Sequence, residues 1–260
     1  MIGGNAVSAF LLAASLPWGF SSPAHHSQPR LDLAARARFL HHKVFTFSNN
    51  TIPVGLYATD KGADPKSVSV KHGYLLLTVP GTDTTCYKKY KSEVITTVDN
   101  IFYASVRTVA ILTETPGVCN GMFFYKSDSQ ETDIEWLSDR NNRSDNGTHH
   151  IWFTNQDNNG DGKATTFKVK PPRNPTREEH EYRIDWTEEG VEWFIDGVMK
   201  AKSSKDVPNM PGYWLWNNWY NGNINWSAGP PASKAVLRIR SIDMYYNTTW
   251  VDRGKTDKLM

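Results

Sequence analysis

The sequence predicts an all-β fold, an antiparallel sandwich of two packed sheets, and three of its features carry that prediction. From Val44 onward the 260-residue chain breaks into about ten short runs rich in β-branched and aromatic residues. Clusters of Gly, Pro, Asn and Asp separate the runs. No amphipathic helical pattern of useful length and no fixed-period repeat interrupts them, which leaves one domain built from strands.

The elements follow in order. "GYLLLTVPG" (73–81) is an apolar run closed by a Pro-Gly turn, and "NIFYASVRTVAIL" (100–112) is a long β-rich segment. "GMFFYKSD" (121–128) and "ETDIEWL" (131–137) are separated by a short polar gap. "HHIWFTNQ" (149–156) and "TTFKVK" (165–170) flank a Gly-rich stretch. "HEYRIDW" (180–186) precedes "GVEWFIDGVMKA" (190–201), which is a hairpin signal because Asp196-Gly197 lies between two β-rich halves. "YWLWNNWY" (213–220) and "AVLRIRSIDMYYN" (235–247) complete the set.

Hydrophobic residues make up 39% of the chain and aromatics 12%, enough for a substantial core. With 29 basic and 27 acidic residues well mixed, the net charge is +2 and no charged block suggests nucleic acid. The expected partner is neutral, and the expected state is a monomer with no membrane span. Residues 1–24 read as a secretory signal peptide, since Ala6 to Phe20 are largely apolar but too short to span a bilayer. Residues 25–43 read as an N-terminal arm and 44–260 as the functional domain. Asn-x-Ser/Thr triplets at Asn49, Asn142, Asn146, Asn225 and Asn247 fit a secreted glycoprotein. In an oxidising compartment Cys86 and Cys119 are expected to form a structural bridge rather than a nucleophilic or metal site.

"QETDIEWLSD" (130–139) holds the chemistry. Glu131, Asp133 and Glu135 alternate with Thr132, Ile134 and Trp136, so in a strand three acids share one face. Alternation alone also describes a solvent-facing strand that happens to be acidic. Glycoside hydrolysis, however, needs two carboxyl groups on one surface, one ionised and one protonated. The Cα atoms of Glu131 and Glu135 would lie about 13 Å apart, close enough for inward-leaning side chains to serve a double displacement. Asp133 between them would keep one proton in the cluster by charge repulsion.

Glu131-Thr132-Asp133-Ile134-Glu135 resembles the E-x-D-x-E signature of glycoside hydrolase family 16, the laminarinase, lichenase and wall-transglycosylase group. "HEYRIDWTEEGVEWFIDGV" (180–198) is similar to the strand pair that follows the family's catalytic strand. "NNWYNGNINWSAGPP" (217–231) resembles N-L-W-S-N-G-D-P-G-W-S-G-G-P-P of fungal-type members, and the matches run from Ile101 to Asn247 in order. Thr132 departs from the family's Ile or Val, and Asn223 from a frequent Asp. The resemblance implies a concanavalin A-like jelly roll whose concave sheet forms a glycan cleft, and it extends over the functional domain, 44–260. It implies Glu131 as nucleophile, Glu135 as acid/base and Asp133 as the charge-tuning partner, with retention of configuration on a β-glucan. The un-bulged spacing resembles the lichenase and transglycosylase branch. A transglycosylase with the same acids, or a non-catalytic β-glucan-binding lectin, are the alternatives.

Sugar rings stack on aromatic faces while amides bind their hydroxyls. The expected substrate-binding residues are Asn217 and Trp219 on one face of "YWLWNNWY", with Trp214 and Trp216 in the core. His150 and Trp152 join them, Ile151 and Phe153 facing inward, as do Phe124 and Trp226. No cofactor is expected. "DNNGDG" (157–162) matches the first half of a calcium loop at Asp157, Asn159 and Asp161, but Lys168 stands where the closing Glu belongs. A Gly-rich hairpin turn explains the same stretch.

Overall fold

The computed structural model describes residues 39–82 and 89–248. The expected signal peptide, the arm up to residue 38 and Cys86 lie outside the described residues. In chain order the strands are β1 (His41–Thr46), β2 (Leu56–Ala58), β3 (Val68–Lys71), β4 (Tyr74–Val79), β5 (Tyr90–Thr96), β6 (Ile101–Ile111), β7 (Cys119–Ser127) and β8 (Gln130–Leu137). They continue as β9 (Ile151–Asn155), β10 (Thr165–Val169), β11 (His180–Thr187), β12 (Gly190–Ile195), β13 (Val198–Ser203), β14 (Tyr213–Tyr220) and β15 (Ala235–Thr248). A single 3-10 turn, Pro65–Ser67, is the only helical element among the described residues. No helix there is long and apolar enough to cross a membrane.

The strands form two antiparallel sheets. One has the order β13-β12-β11-β6-β15-β4-β3, with β1 also pairing β15; the other runs β10-β9-β8-β7-β14-β5-β2. The expected hairpin is present: Ile195 pairs Val198 across Asp196 and Gly197, whose φ angles of 51° and 74° are the left-handed pair a tight two-residue turn requires. Among the described residues strand structure starts at His41 rather than Val44. β1, β2, β3 and β5 were not legible as runs, because they are short or polar on their outward side.

Between the sheets lies a core of alternating inward residues. Trp186, Trp193, Trp214 and Trp216 are fully buried there, and Phe153 stacks on Trp193 with the rings 5.8 Å apart. Buried indoles need partners for their N–H groups: Trp186 donates to the Pro208 carbonyl and Trp216 to the Thr108 hydroxyl. Thr132, the departure from the family pattern, faces this core and is fully buried. Because Ile134 and Trp136 take the same inward face of β8, the three acids are turned outward.

Candidate active site

Register across the seven-stranded sheet fixes what surrounds the acids. One row, read across the strands, is Lys168, Trp152, Glu135, Gly121, Asn217 and Glu93. The next is Thr166, Thr154, Asp133, Phe123, Leu215, Ile95 and Tyr57. Glu131 pairs Tyr125, which pairs Tyr213. Ile95, Phe123, Leu215, Tyr125 and Tyr213 cluster beside the acids, away from the main core. They help to line a groove of about 520 Å³ that also takes in Glu93, Asn217 and Glu131.

The acids are deeply set. Asp133 is 2% exposed, whereas Glu131 and Glu135 are half-buried. Among the described residues no Lys or Arg forms an ion pair with any of the three. Burial pushes the Glu131 carboxyl from 4.5 to about 7; a hydrogen bond with Asp133 pulls the other way, and the charge of Glu135 pushes further up. Burial, then the charges of Glu131 and Glu135, hold Asp133 well above the carboxylate range. Two hydrogen-bonded carboxyl groups need a proton between them, so the Glu131–Asp133 pair shares one. Asp133 also accepts from Gln156 Nε2 at 3.0 Å. Glu135 is raised by burial, opposed by hydrogen bonds from Cys119 Sγ and Trp226 Nε1, both 3.1 Å from its Oε1.

The expected binding residues divide. Asn217 is on the acids' face: its Nδ2 donates to Glu93 Oε2 at 3.2 Å, and its Oδ1 is buried without a partner. Gly121 makes this possible, because a Cβ there would stand 2.6 Å from that Oδ1. Trp219 and Trp226 share the face and pack with Cys119, Leu137 and Trp152. Trp152 sits opposite Glu135 but is 5% exposed, with Lys168 Nζ 4.3 Å above its ring. Its Nε1 and His150 Nδ1 both meet Asp145 Oδ1, at 3.0 and 3.1 Å.

Phe124 is a correction. It is fully buried against Trp186 and Trp214, because β7 pairs it with core-facing Thr132, and Phe123 and Tyr125 take the outward positions instead. Cys119 is a second: its thiol is free and donates to Glu135, so the bridge to Cys86 is not made. Asn142 is fully buried, its amide oxygen accepting from Asp145 N at 2.8 Å and its Nδ2 donating to the Asp139 carbonyl at 2.5 Å, which leaves no room for a glycan there. The Asp157 stretch is a hairpin loop between β9 and β10. The Asp157 carboxylate accepts from the backbone N–H groups of Gly160, Asp161 and Gly162, and no cluster of metal-ligating side chains occurs among the described residues.

Sequence reading missed Lys91, Glu93, Gln156 and Cys119 as site residues. Lys91 Nζ lies 3.0 Å from Glu93 Oε1, inside the groove. The alternation in "YKSEVIT" (90–96) was the available signal for the first two; nothing local points to Cys119, which only register brings to Glu135.

Residues 62–234 match the family model described as glycosyl hydrolases family 16. The chain is 24% identical over 156 residues to Congo red hypersensitive protein 1 of Saccharomyces cerevisiae, covering 57% of this chain and 29% of that protein. It spans about half, or less, of the length of the curated relatives it matches. The structure of Bacillus licheniformis beta-glucanase superposes with a TM-score of 0.62 at 16% identity, over 79% of this chain and 98% of that one. A structure titled apo Crh5 transglycosylase superposes with a TM-score of 0.58 at 19% identity, over 78% and 83%.

Proposed function

From the premise that the chain belongs to glycosyl hydrolases family 16, we propose that it is a secreted, retaining endo-glycosidase acting on a β-glucan by double displacement. Glu131 is the nucleophile. It attacks the anomeric carbon as the glycosidic C–O bond breaks, and Glu135 gives its proton to the departing sugar oxygen. Glu135 then takes a proton from water, which displaces Glu131 and restores the original configuration. Asp133 holds the proton that lets Glu131 stay ionised in a buried setting. The aromatic cluster of Phe123, Tyr125 and Tyr213 offers stacking surface, and the unpartnered Asn217 Oδ1 an acceptor for a sugar hydroxyl.

One observation carries the reading: three acids with no cationic partner among the described residues line up on the outward face of one strand, beside a groove of about 520 Å³. Secretion rests on the apolar N-terminal stretch and the exposed triplets at Asn49, Asn146 and Asn225. A 2-deoxy-2-fluoro β-glucosyl donor with a good leaving group tests the mechanism. Mass spectrometry should find the sugar esterified to Glu131; labelling elsewhere, or unchanged turnover in Glu131→Gln, overturns it.

The second reading is transfer to another sugar in place of water. Its support is the similarity to the Crh-like relatives and to the structure titled as a transglycosylase. Incubation with a β-glucan, with and without an oligosaccharide acceptor, separates the two by whether elongated products form. A purely lectin-like role would leave Glu131→Gln indistinguishable from wild type in glucan binding, with no turnover by either protein.

A further inference from the structure

Glu135 has two carboxyl oxygens, and the structure treats them differently. Cys119 Sγ and Trp226 Nε1 both reach Oε1 at 3.1 Å, while Oε2 makes no hydrogen bond among the described residues. A carboxyl oxygen has two lone pairs in the plane of the group, and two donors occupy both. A proton on Oε1 would displace one of them. We propose that Cys119 and Trp226 are positioning residues that reserve Oε2 as the proton-carrying oxygen of the acid/base, and that they set the pH at which it works. This rests on the role assigned to Glu135 above.

The two donors come from separate parts of the chain, so their convergence is not a local accident. Cys119 opens β7 and pairs Leu137 on β8 and Trp219 on β14. Trp226 sits in the loop after β14, which is held by its own bonds: Trp226 N and Ala228 N donate to the Asn223 carbonyl, and Ser227 Oγ donates to Asn221. The Trp226 ring meets Trp152 edge-on at 4.7 Å, which fixes the indole N–H toward Glu135. Cys119 is fully buried, and burial followed by the charge of Glu135 keeps its thiol protonated and able only to donate.

The other ionisable groups around Glu135 are Asp133 and Glu131 on its own strand and, beyond Trp152, Asp145, His150 and Lys168. The strand neighbours are acids, and Lys168 is turned to the Ser144 carbonyl at 2.8 Å. The two neutral donors are therefore the direct support for the charged form of Glu135. Removing either makes the carboxyl hold its proton to higher pH.

The experiment is a pH profile of kcat/KM on an unactivated oligosaccharide and on an aryl β-glycoside with a strongly acidic leaving group. Trp226→Phe should move the basic limb up by about one pH unit and Cys119→Ala by about half a unit, since a donor to a charged group is lost. Cys119→Ser keeps a donor and should return the limb toward wild type. Both donor-free variants should lose about tenfold more on the unactivated substrate, because a good leaving group needs no proton. Basic limbs that stay in place, or equal losses on the two substrates, overturn the inference. Glu135→Gln separates the two levels: if it destroys turnover of the unactivated substrate while the other variants keep the wild-type profile, only the positioning role fails. If it leaves that turnover intact, the proposed mechanism fails with it.

Discussion

Strands β8 and β11 carry ionisable side chains at the same alternate spacing, and each turns them to the outward face of its own sheet. β8 presents Glu131, Asp133 and Glu135; β11 presents Glu181, Arg183 and Asp185. In β11 every acid has a cation. Arg107 Nε on the neighbouring β6 lies 2.9 Å from Glu181 and its Nη1 3.8 Å from Asp243, while Arg183 Nε lies 3.3 Å from Asp185. Ser105 adds a hydrogen bond to Asp185 at 2.6 Å. Burial still raises Glu181 and Asp185, but the guanidinium groups pull both back. In β8 the middle position is an acid rather than an arginine, and the strand's neighbours offer a thiol, an indole and an amide, none of them cationic. The lesson is that spacing alone does not mark a reactive strand. The same alternation is a structural lattice when its charges cancel and a poised proton-sharing cluster when they do not.

That contrast can be broken from either side. Glu131→Gln should reduce turnover by at least about 10³-fold, because the proposed nucleophile is gone. The same variant should be more stable than wild type by roughly 1–3 kcal/mol, since a buried, raised carboxyl no longer has to ionise. Urea midpoints at neutral pH check the second half. Arg107→Ala should do the reverse. It strands Glu181 and Asp243 without their cation and should cost about 3–5 kcal/mol of stability, with turnover per folded molecule retained.

A third variant pair tests which side of β7 serves which sheet face. Phe124→Ala should lower stability by about 3–5 kcal/mol through the cavity it leaves beneath Trp186 and Trp214. Phe123→Ala should instead raise KM, a smaller effect of about 1 kcal/mol from lost stacking. The last effect is the dependence on pH. Glu131 in the folded protein lies above its ordinary 4.5, at about 7. Its contribution to stability is therefore complete below 4.5 and lost as pH rises through 7. Denaturation at pH 5 and pH 8 should show wild type losing up to about 3 kcal/mol across that interval, and Glu131→Gln losing visibly less.

Much of this was legible in the chain. All ten sequence-level runs fall in strands, the Asp196-Gly197 turn closes a hairpin, and Trp214 and Trp216 are core while Asn217 and Trp219 are not. Period-two alternation made those assignments possible, since one residue of known direction orients its whole strand. Failures came where alternation was silent or misapplied. Phe123 and Phe124 are adjacent aromatics, and only pairing with β8 decides which of them faces outward. The alternation of Lys91 and Glu93 in β5 is faint, because its inward positions include polar Ser92 and Thr96. Cys119 looked like half of a bridge because an exported chain suggests one.

By itself the sequence determined the sandwich, the shared face of the three acids and the family, because those depend on periodicity and on residues near one another in the chain. Only the tertiary structure decided that no arginine among the described residues would neutralise β8 and that a thiol and an indole, 107 positions apart in number, would meet at one carboxyl oxygen of Glu135. Register between strands and the path of a distant loop set those contacts, and neither is encoded in any local stretch.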